Sequence, residues 1–280
     1  MKKRKNKVAV ISMARNSTVF IDKWISYYGS ELGYENLYLF IDGMDQQLPI
    51  QASKINCFQI PHIKQSRSKG DRDRAKRISN FAAGLFERYQ VVIALDIDEF
   101  LAVDPNTNMS LNAYFQQSFE QDSLSALGID VIQHPTFEAD IDWTTPVLKQ
   151  RSFAVLSDRY TKPVVALKPV RWGAGFHRIK GKNFTIDTQL FLFHLGMADG
   201  MRFRSQQNSE LIKVGWKGHF KRRAKSFEII QKMPVQKEEE IIIKARSFFS
   251  KHRKWYAWNK PAPLKFNPVI EIPERFKMLL

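Results

Sequence analysis

The sequence predicts an α/β protein with a mostly parallel central sheet flanked by helices. Three observations carry that expectation. Short apolar runs of strand length recur through the first part of the chain, they alternate with stretches of helical periodicity, and polar residues stand where the runs end.

The elements follow in order. "VAVISMA" (Val8 to Ala14) reads as a buried strand behind a solvated basic tail. The opening imitates a secretory signal, but its apolar run is short, holds a serine, and is closed by Arg15 without a cleavage site. A helix comes next, with Phe20, Ile21, Trp24, Ile25, Tyr28 and Leu32 on one face, Ser17 to cap it and Gly33 to end it. "LYLFID" (Leu37 to Asp42) and "INCFQI" (Ile55 to Ile60) are strand-like. A long amphipathic helix through Ala75, Ile78, Ala82, Leu85, Phe86 and Tyr89 feeds into a fourth strand, "VVIAL". Further on, "SLNAYFQQSF" reads as a helix capped by Ser110, and "SLSALGIDVIQH" and "DTQLFLFHL" (Asp187 to Leu195) as strands. The simplest partition is a catalytic domain over 1–199 and a basic, aromatic, helical region over 200–280 packed on it.

Composition sets further bounds. With 280 residues and 44% apolar content the chain can build a real core. A formal charge of +16 points to anionic partners: nucleotides, nucleic acid, acidic glycans or the cytoplasmic leaflet. Cys57 is the single cysteine, which excludes an intramolecular disulfide or a thiolate cluster and suits a buried structural thiol. No apolar run approaches the ~20 residues of a membrane-spanning helix. A cytoplasmic protein is expected, or one peripheral on the inner face of the cell membrane.

In such sheets ligands bind beyond the carboxyl ends of the strands. There the sequence gathers Arg15 and Asn16 after the first strand, Asp42 after the second, and "DIDE" (Asp96 to Glu99) after the fourth. Three carboxylates in so small a volume need compensation. A strand-terminal D-x-D turns alternate side chains to one side, so Asp96 and Asp98 can face one Mg²⁺ or Mn²⁺ that bridges to a diphosphate. The alternative is a capped turn with one aspartate solvated.

Other residues are candidates for the same chemistry. Charge developing on a leaving diphosphate calls for cations, and Arg74 ("KGDRDRAKRISN") and Arg171 ("KPVRWGAGFH") can act as phosphate clamps, although most basic residues must be solvated surface. His177 lies in a glycine-rich stretch that lets backbone approach a ligand, a position suited to holding donor or acceptor. His194 ends an apolar strand, where packing competes with a ligand role. Any reaction that deprotonates a hydroxyl needs a base. Asp142 is the candidate in "FEADIDW", since Trp143 beside it can desolvate a carboxylate and stack on a sugar; an acidic surface loop is the bland reading. His62, His134, His219 and His252 carry no assignment. The basic, aromatic stretch from Trp216 to Phe266 suits an anionic membrane surface, or is a pair of helices with a charged outer face.

The ordered set "MARNSTVFIDKWISYYGSELGYENLYLFID", "VVIALDIDEFL", "KPVVALKPVRWGAGFHRIKG" and "LFLFHLGMAD" resembles the bacterial family-2-like glycosyltransferases of GT-A fold, over roughly Val8 to Asp199. The resemblance implies the GT-A type of nucleotide-diphospho-sugar transferase fold and a nucleotide-sugar-dependent hexosyltransferase. It places Arg15 and Asn16 in the nucleotide pocket, Asp42 on the base or ribose, Asp96 on the ribose, Asp98 on the metal, and His194 as the histidine completing metal coordination. Ser17 departs from the group, which usually carries an acidic residue there. The implied partners are a nucleotide-sugar donor, with UDP-sugar favoured, and a glycan or glycolipid acceptor, in bacterial surface polysaccharide synthesis.

Two rival classes remain. The charge permits a nucleic-acid-binding or anionic-membrane-binding protein, yet no nucleic-acid signature assembles, and no nucleic-acid partner is expected. A metal-dependent phosphatase or nucleotidyl transferase could use the same D-x-D. "DIDEF" lacks the hydroxyl residue that follows the nucleophilic aspartate of the common phosphatases.

Overall fold

The computed structural model describes residues 7–205, 212–237 and 239–280. Its first half alternates as the sequence predicts: β1 (Val8–Ala14), α1 (Thr18–Leu32), β2 (Leu37–Asp42), β3 (Asn56–Ile60), α2 (Arg67–Leu85) and β4 (Val91–Ala94). β1 pairs in parallel with β2 and β4, and β2 with β3. Because side chains alternate across a strand, Val8 and Val10 join the core under α1, with Trp24, Ile25 and Tyr28, while Ala9 and Ile11 join the core under α2, with Ile78 and Ala82. Both faces of β1 are therefore covered, and a near-continuous apolar run suits such a strand.

The second half adds β5 (Glu99–Val103), a single helical turn α3 (Leu111–Tyr114), β6 (Ser123–Ile132), a second short turn α4 (Val147–Gln150), β7 (Phe153–Leu156), β8 (Lys162–Ala166) and β9 (Ile186–Met197). The sheet is continued by antiparallel pairing, β4 to β8, β8 to β6 and β6 to β7. β9 lies parallel to β6 and antiparallel to β5. The result is a mixed α/β architecture whose large central sheet is parallel in its first four strands and flanked by helices. Where the sequence suggests a full helix after Ser110, only α3 forms; Ser110 Oγ accepts from Ala113 N at 3.2 Å, and the chain leaves helix at Phe115.

Beyond residue 199 come α5 (Gly200–Ser205), α6 (Lys217–Lys232) and α7 (Glu240–Lys251), then the hairpin strands β10 (Arg253–Lys254) and β11 (Ala257–Pro261), and finally β12 (Val269–Glu271). β12 pairs with β7 and forms one edge of the central sheet. The region is thus helical in part and strand in part, and α6 and α7 each bury one face. Among the described residues no helix is long and apolar enough to cross a membrane. Cys57 is half-buried in β3.

Candidate functional site

β4 ends at Ala94, and the D-x-D falls in the turn that follows it, outside the strand. Ser12 Oγ donates to Leu95 O at 2.9 Å, fixing the exit of β4 to β1. Glu99 N then donates to Asp96 O at 3.1 Å, and Glu99 opens β5. A turn does not keep alternate side chains on one side, so the two aspartates part. Asp96 lies between Arg74 Nη2 (2.8 Å from Oδ1) and Lys162 Nζ (3.1 Å from Oδ2). Lys162 also bonds Glu99, and both side chains are shut away from solvent. Asp98 Oδ2 lies 3.2 Å from His194 Nε2 and 3.7 Å from Arg223 Nη2.

The register of β9 supplies the histidine. His194 stands opposite Glu99 of β5 on one side and Asp130 of β6 on the other. Its Nδ1 is 2.6 Å from Asp130 Oδ1, which turns Nε2 toward Asp98. The Tyr160 ring stacks on the imidazole with centroids 3.8 Å apart. Arg223, from α6, reaches in to donate to Gly196 O at 3.3 Å and lies 3.2 Å from His194 Nε2. At Gly196 a Cβ would sit 2.6 Å from Asp98 Oδ2 and 2.7 Å from His194 Nε2, so glycine leaves the only room for this convergence.

The electrostatics follow from burial and neighbours. Burial pushes the Asp98 carboxyl up, but His194 and Arg223 outweigh it and hold it well below the usual carboxylate range. Burial likewise opposes charge on His194, yet Asp98 and Asp130 raise it to about 9. Asp96 is lowered because Arg74 and Lys162 outweigh its burial. Glu99 goes the other way, to about 7, through burial with Asp96 and Asp98 close by, against the pull of Lys162. The carboxylates that raised the question of compensation are thus met by Lys162, Arg74, Arg223 and His194.

Asp98 and His194 are the two side chains here that could contribute to a divalent-cation site. Two ligand atoms at adjacent corners of an octahedral ion with bonds of about 2.1 Å stand about 3 Å apart, and Asp98 Oδ2 and His194 Nε2 are 3.2 Å apart. Asp130 behind His194 is the outer carboxylate that metal-binding histidines commonly carry. Among the described residues no group of three or more His, Cys, Asp or Glu side chains gathers around one point. Remaining coordination positions would fall to phosphate oxygens and water, as is usual for Mg²⁺.

The other predicted residues are placed as follows. Arg15 donates to Asp42 O at 2.7 Å and grips Asp45 through two bonds of 2.8 Å. Asn16 takes a left-handed φ of 53° and donates from its backbone to Gln46 Oε1. The Asp42 carboxylate lies 2.9 Å from His62 Nδ1. These three line the ends of β1 and β2. Arg171 is exposed, and its backbone carbonyl accepts from Lys180 N. His177 Nδ1 lies 2.9 Å from Arg159 O; burial, with Lys162 and Lys260 nearby, pushes its pKa down. The desolvation expected at Asp142 is not seen. Its carboxylate is exposed and accepts from Thr144 N and Oγ1, which lower its pKa, while Trp143 packs against Phe20 and donates to Asp199.

Four residues at the centre were not singled out from sequence: Lys162, Asp130, Tyr160 and Arg223. Lys162 opens the K-P segment, and a lysine within the apolar run "KPVVA" is a signal that could have found it. Arg223 sits in "KGHFKRRAKSF", where nothing local distinguishes it from neighbouring surface cations.

No protein-family model and no curated protein matches the chain. Among solved structures it is similar to a glycosyltransferase involved in glycosylation of the major capsid of PBCV-1, at 17% identity and a TM-score of 0.26, over 49% of this chain and 56% of that one. The chain therefore spans about half the length of that protein. It is also similar to CMP:2-keto-3-deoxy-manno-octonic acid synthetase complexed with CTP, at 10% identity and a TM-score of 0.31, over 79% of this chain and 87% of that one.

Proposed function

We propose that this chain is a glycosyltransferase that moves a sugar from a nucleoside-diphosphate donor, with UDP-sugar favoured, to a glycan or glycolipid acceptor, aided by Mn²⁺ or Mg²⁺. The observation that carries the reading is the convergence of Asp98 and His194 beyond the carboxyl ends of parallel strands, with Asp130 behind the histidine and Arg223 beside it. The sheet order and the GT-A-type sequence resemblance support the same class.

The roles follow from the contacts. Asp98 and, once its Nε2 proton is displaced, His194 would hold the ion, which when bound would offset the negative charge that grows on the leaving diphosphate. Asp130 keeps His194 Nε2 aimed at Asp98. Arg74 and Lys162 pin the Asp96 carboxylate, leaving it ionised to accept from a ribose hydroxyl. Arg223 can turn from Asp98 to an incoming phosphate, since an arginine so close to the pair is placed to share the same negative charge. Arg15, Asn16 and Asp42 wall the nucleoside side. Work on bacterial surface polysaccharide at the cytoplasmic face of the membrane suits the charge of +16.

Calorimetric titration of UDP, GDP and CDP, with Mn²⁺ and then with chelator, tests the reading. One nucleotide should bind tightly only with Mn²⁺, and Asp98→Asn should abolish that dependence while the melting transition persists. Mn²⁺-independent binding, or none, would sink it. Release of pyrophosphate from CTP or UTP on adding an anionic sugar would instead make the chain a nucleotidyl transferase.

A further inference from the structure

Residues 241–270 contain seven lysines and arginines and no aspartate or glutamate. The hairpin of β10 and β11 projects from this stretch. Lys254 is paired with Ala257, so the turn itself is Trp255–Tyr256. Two-residue hairpin turns favour Gly, Asn or Asp because those residues tolerate φ > 0. Neither Trp255 nor Tyr256 takes such a φ, so turn geometry gives no reason for aromatics here. Nor does packing. Trp255 is 95% exposed, Tyr256 63% and Trp258 58%.

This exposure is not that of a loose end. Lys254 Nζ is 2.6 Å from Asp158, buried Asn259 donates to Ile179 O at 2.8 Å, and the Arg253 guanidinium covers the Phe184 ring at 4.0 Å. The attachment points also locate the hairpin. Asp158 is two residues from Tyr160, which stacks on His194. Ile179 lies between Arg178 and Lys180, which line a cavity of about 400 Å³ together with Arg67, Arg72 and Asp71. The hairpin is therefore anchored to the segment that carries Tyr160 and to the stretch of chain that lines the basic pocket.

We propose that Trp255, Tyr256 and Trp258 form an interfacial anchor that seats this hairpin on an anionic bilayer. Trp and Tyr rings lie at the headgroup level because one end is apolar and the other polar. Lysines and arginines around them gain from the negative surface potential of anionic lipid. Charge decides the occupant. A sugar-stacking platform needs carboxylates or amides to meet hydroxyls, whereas Asp158 is taken by Lys254 and the Asn259 amide nitrogen by Ile179. The charged residues that flank the rings in sequence, Arg253, Lys254 and Lys260, are all cationic.

Flotation of the full chain with phosphatidylcholine vesicles, and with vesicles holding roughly one-quarter phosphatidylglycerol, tests this. Binding is expected to the anionic vesicles, with blue-shifted tryptophan emission, and to fall as salt rises from about 0.1 M to about 0.5 M. The variant Trp255→Ser/Tyr256→Ser/Trp258→Ser should partition at least about tenfold more weakly with an unchanged melting temperature. Wild-type protein that stays free of anionic vesicles, or a variant that binds them equally, overturns the proposal. So does tryptophan quenching by soluble oligosaccharide without vesicle binding. Mn²⁺-dependent UDP binding, measured on the same variant, reads the transferase proposal separately.

Discussion

Replacing Lys162 with methionine should unbalance the carboxylate cluster. The Lys162 side chain is 1% exposed and its partner Glu99 0%, and Lys162 also meets Asp96 at 3.1 Å. Methionine keeps most of the volume and removes the cation, so Glu99 is left buried without its ion-pair partner while Asp96 retains Arg74. Breaking a buried pair from one side costs about 3–5 kcal/mol, a large share of the roughly 5–15 kcal/mol that holds a domain folded. Lys162→Met/Glu99→Leu removes both members, and should recover to within about 2 kcal/mol of wild type, because an apolar pair needs no compensation. Urea unfolding followed by circular dichroism reads all three proteins. The pH dependence has a defined sign. Glu99 already sits above its ordinary value, at about 7, and loss of Lys162 raises it further. A carboxyl raised in the folded state loses stability as pH rises, so the deficit of Lys162→Met should be larger at about pH 8 than at about pH 5. A single variant within about 1 kcal/mol of wild type, or a double variant no better than the single, would refute the reasoning.

Three further outcomes are expected. Gly196→Ala should fold but bind UDP with Mn²⁺ at least about tenfold more weakly, since its Cβ would stand 2.6 Å from Asp98 Oδ2 and 2.8 Å from Arg223 Nη2; calorimetry decides. Gly128→Ala should lose about 1–3 kcal/mol in urea unfolding, because its Cβ would meet the backbone of Tyr160 at 2.2 Å and of Thr161 at 2.4 Å. Burial and the cations Arg223, Arg67 and Arg222 push His219 down to about 3. A histidine kept neutral in the fold but protonated when unfolded loses stability as pH falls, so about 2 kcal/mol should vanish between about pH 7 and about pH 5, and His219→Gln should remove that part of the acid sensitivity.

The parallel half of the sheet was legible because local pattern and tertiary position agree there. Val8 to Ala14 is apolar except for Ser12 and is covered on both faces by helices, and the alternating burial of β2 repeats the alternation of "LYLFID". Asp98 and His194, both singled out from sequence, come to 3.2 Å of each other in the structure. The site was not legible where contacts are long-range. Asp130 meets His194 across 64 residues and Lys162 meets Asp96 across 66, and periodicity carries no information on which strands become neighbours. The D-x-D, expected at the end of the strand "VVIAL", lies in the turn beyond it, because β4 stops at Ala94 and Glu99 N closes onto Asp96 O. Asp142 misled because its neighbour Trp143 turns away toward Phe20 and Asp199.

β9 runs for twelve residues between β5 and β6, and its ladder positions His194 from both sides. Asp98 is the residue before β5, so the separation of the Asp98–His194 pair is set by backbone pairing, with no loop between the two in space. Residues 133–146 and 167–185 leave and rejoin the sheet outside that ladder. Insertions or deletions in those segments can reshape what the site admits while the pair stays in place, whereas a one-residue change inside β9 would turn His194 to the opposite face. Loop length can therefore vary among descendants of this chain while strand register holds the Asp98–His194 pair in place.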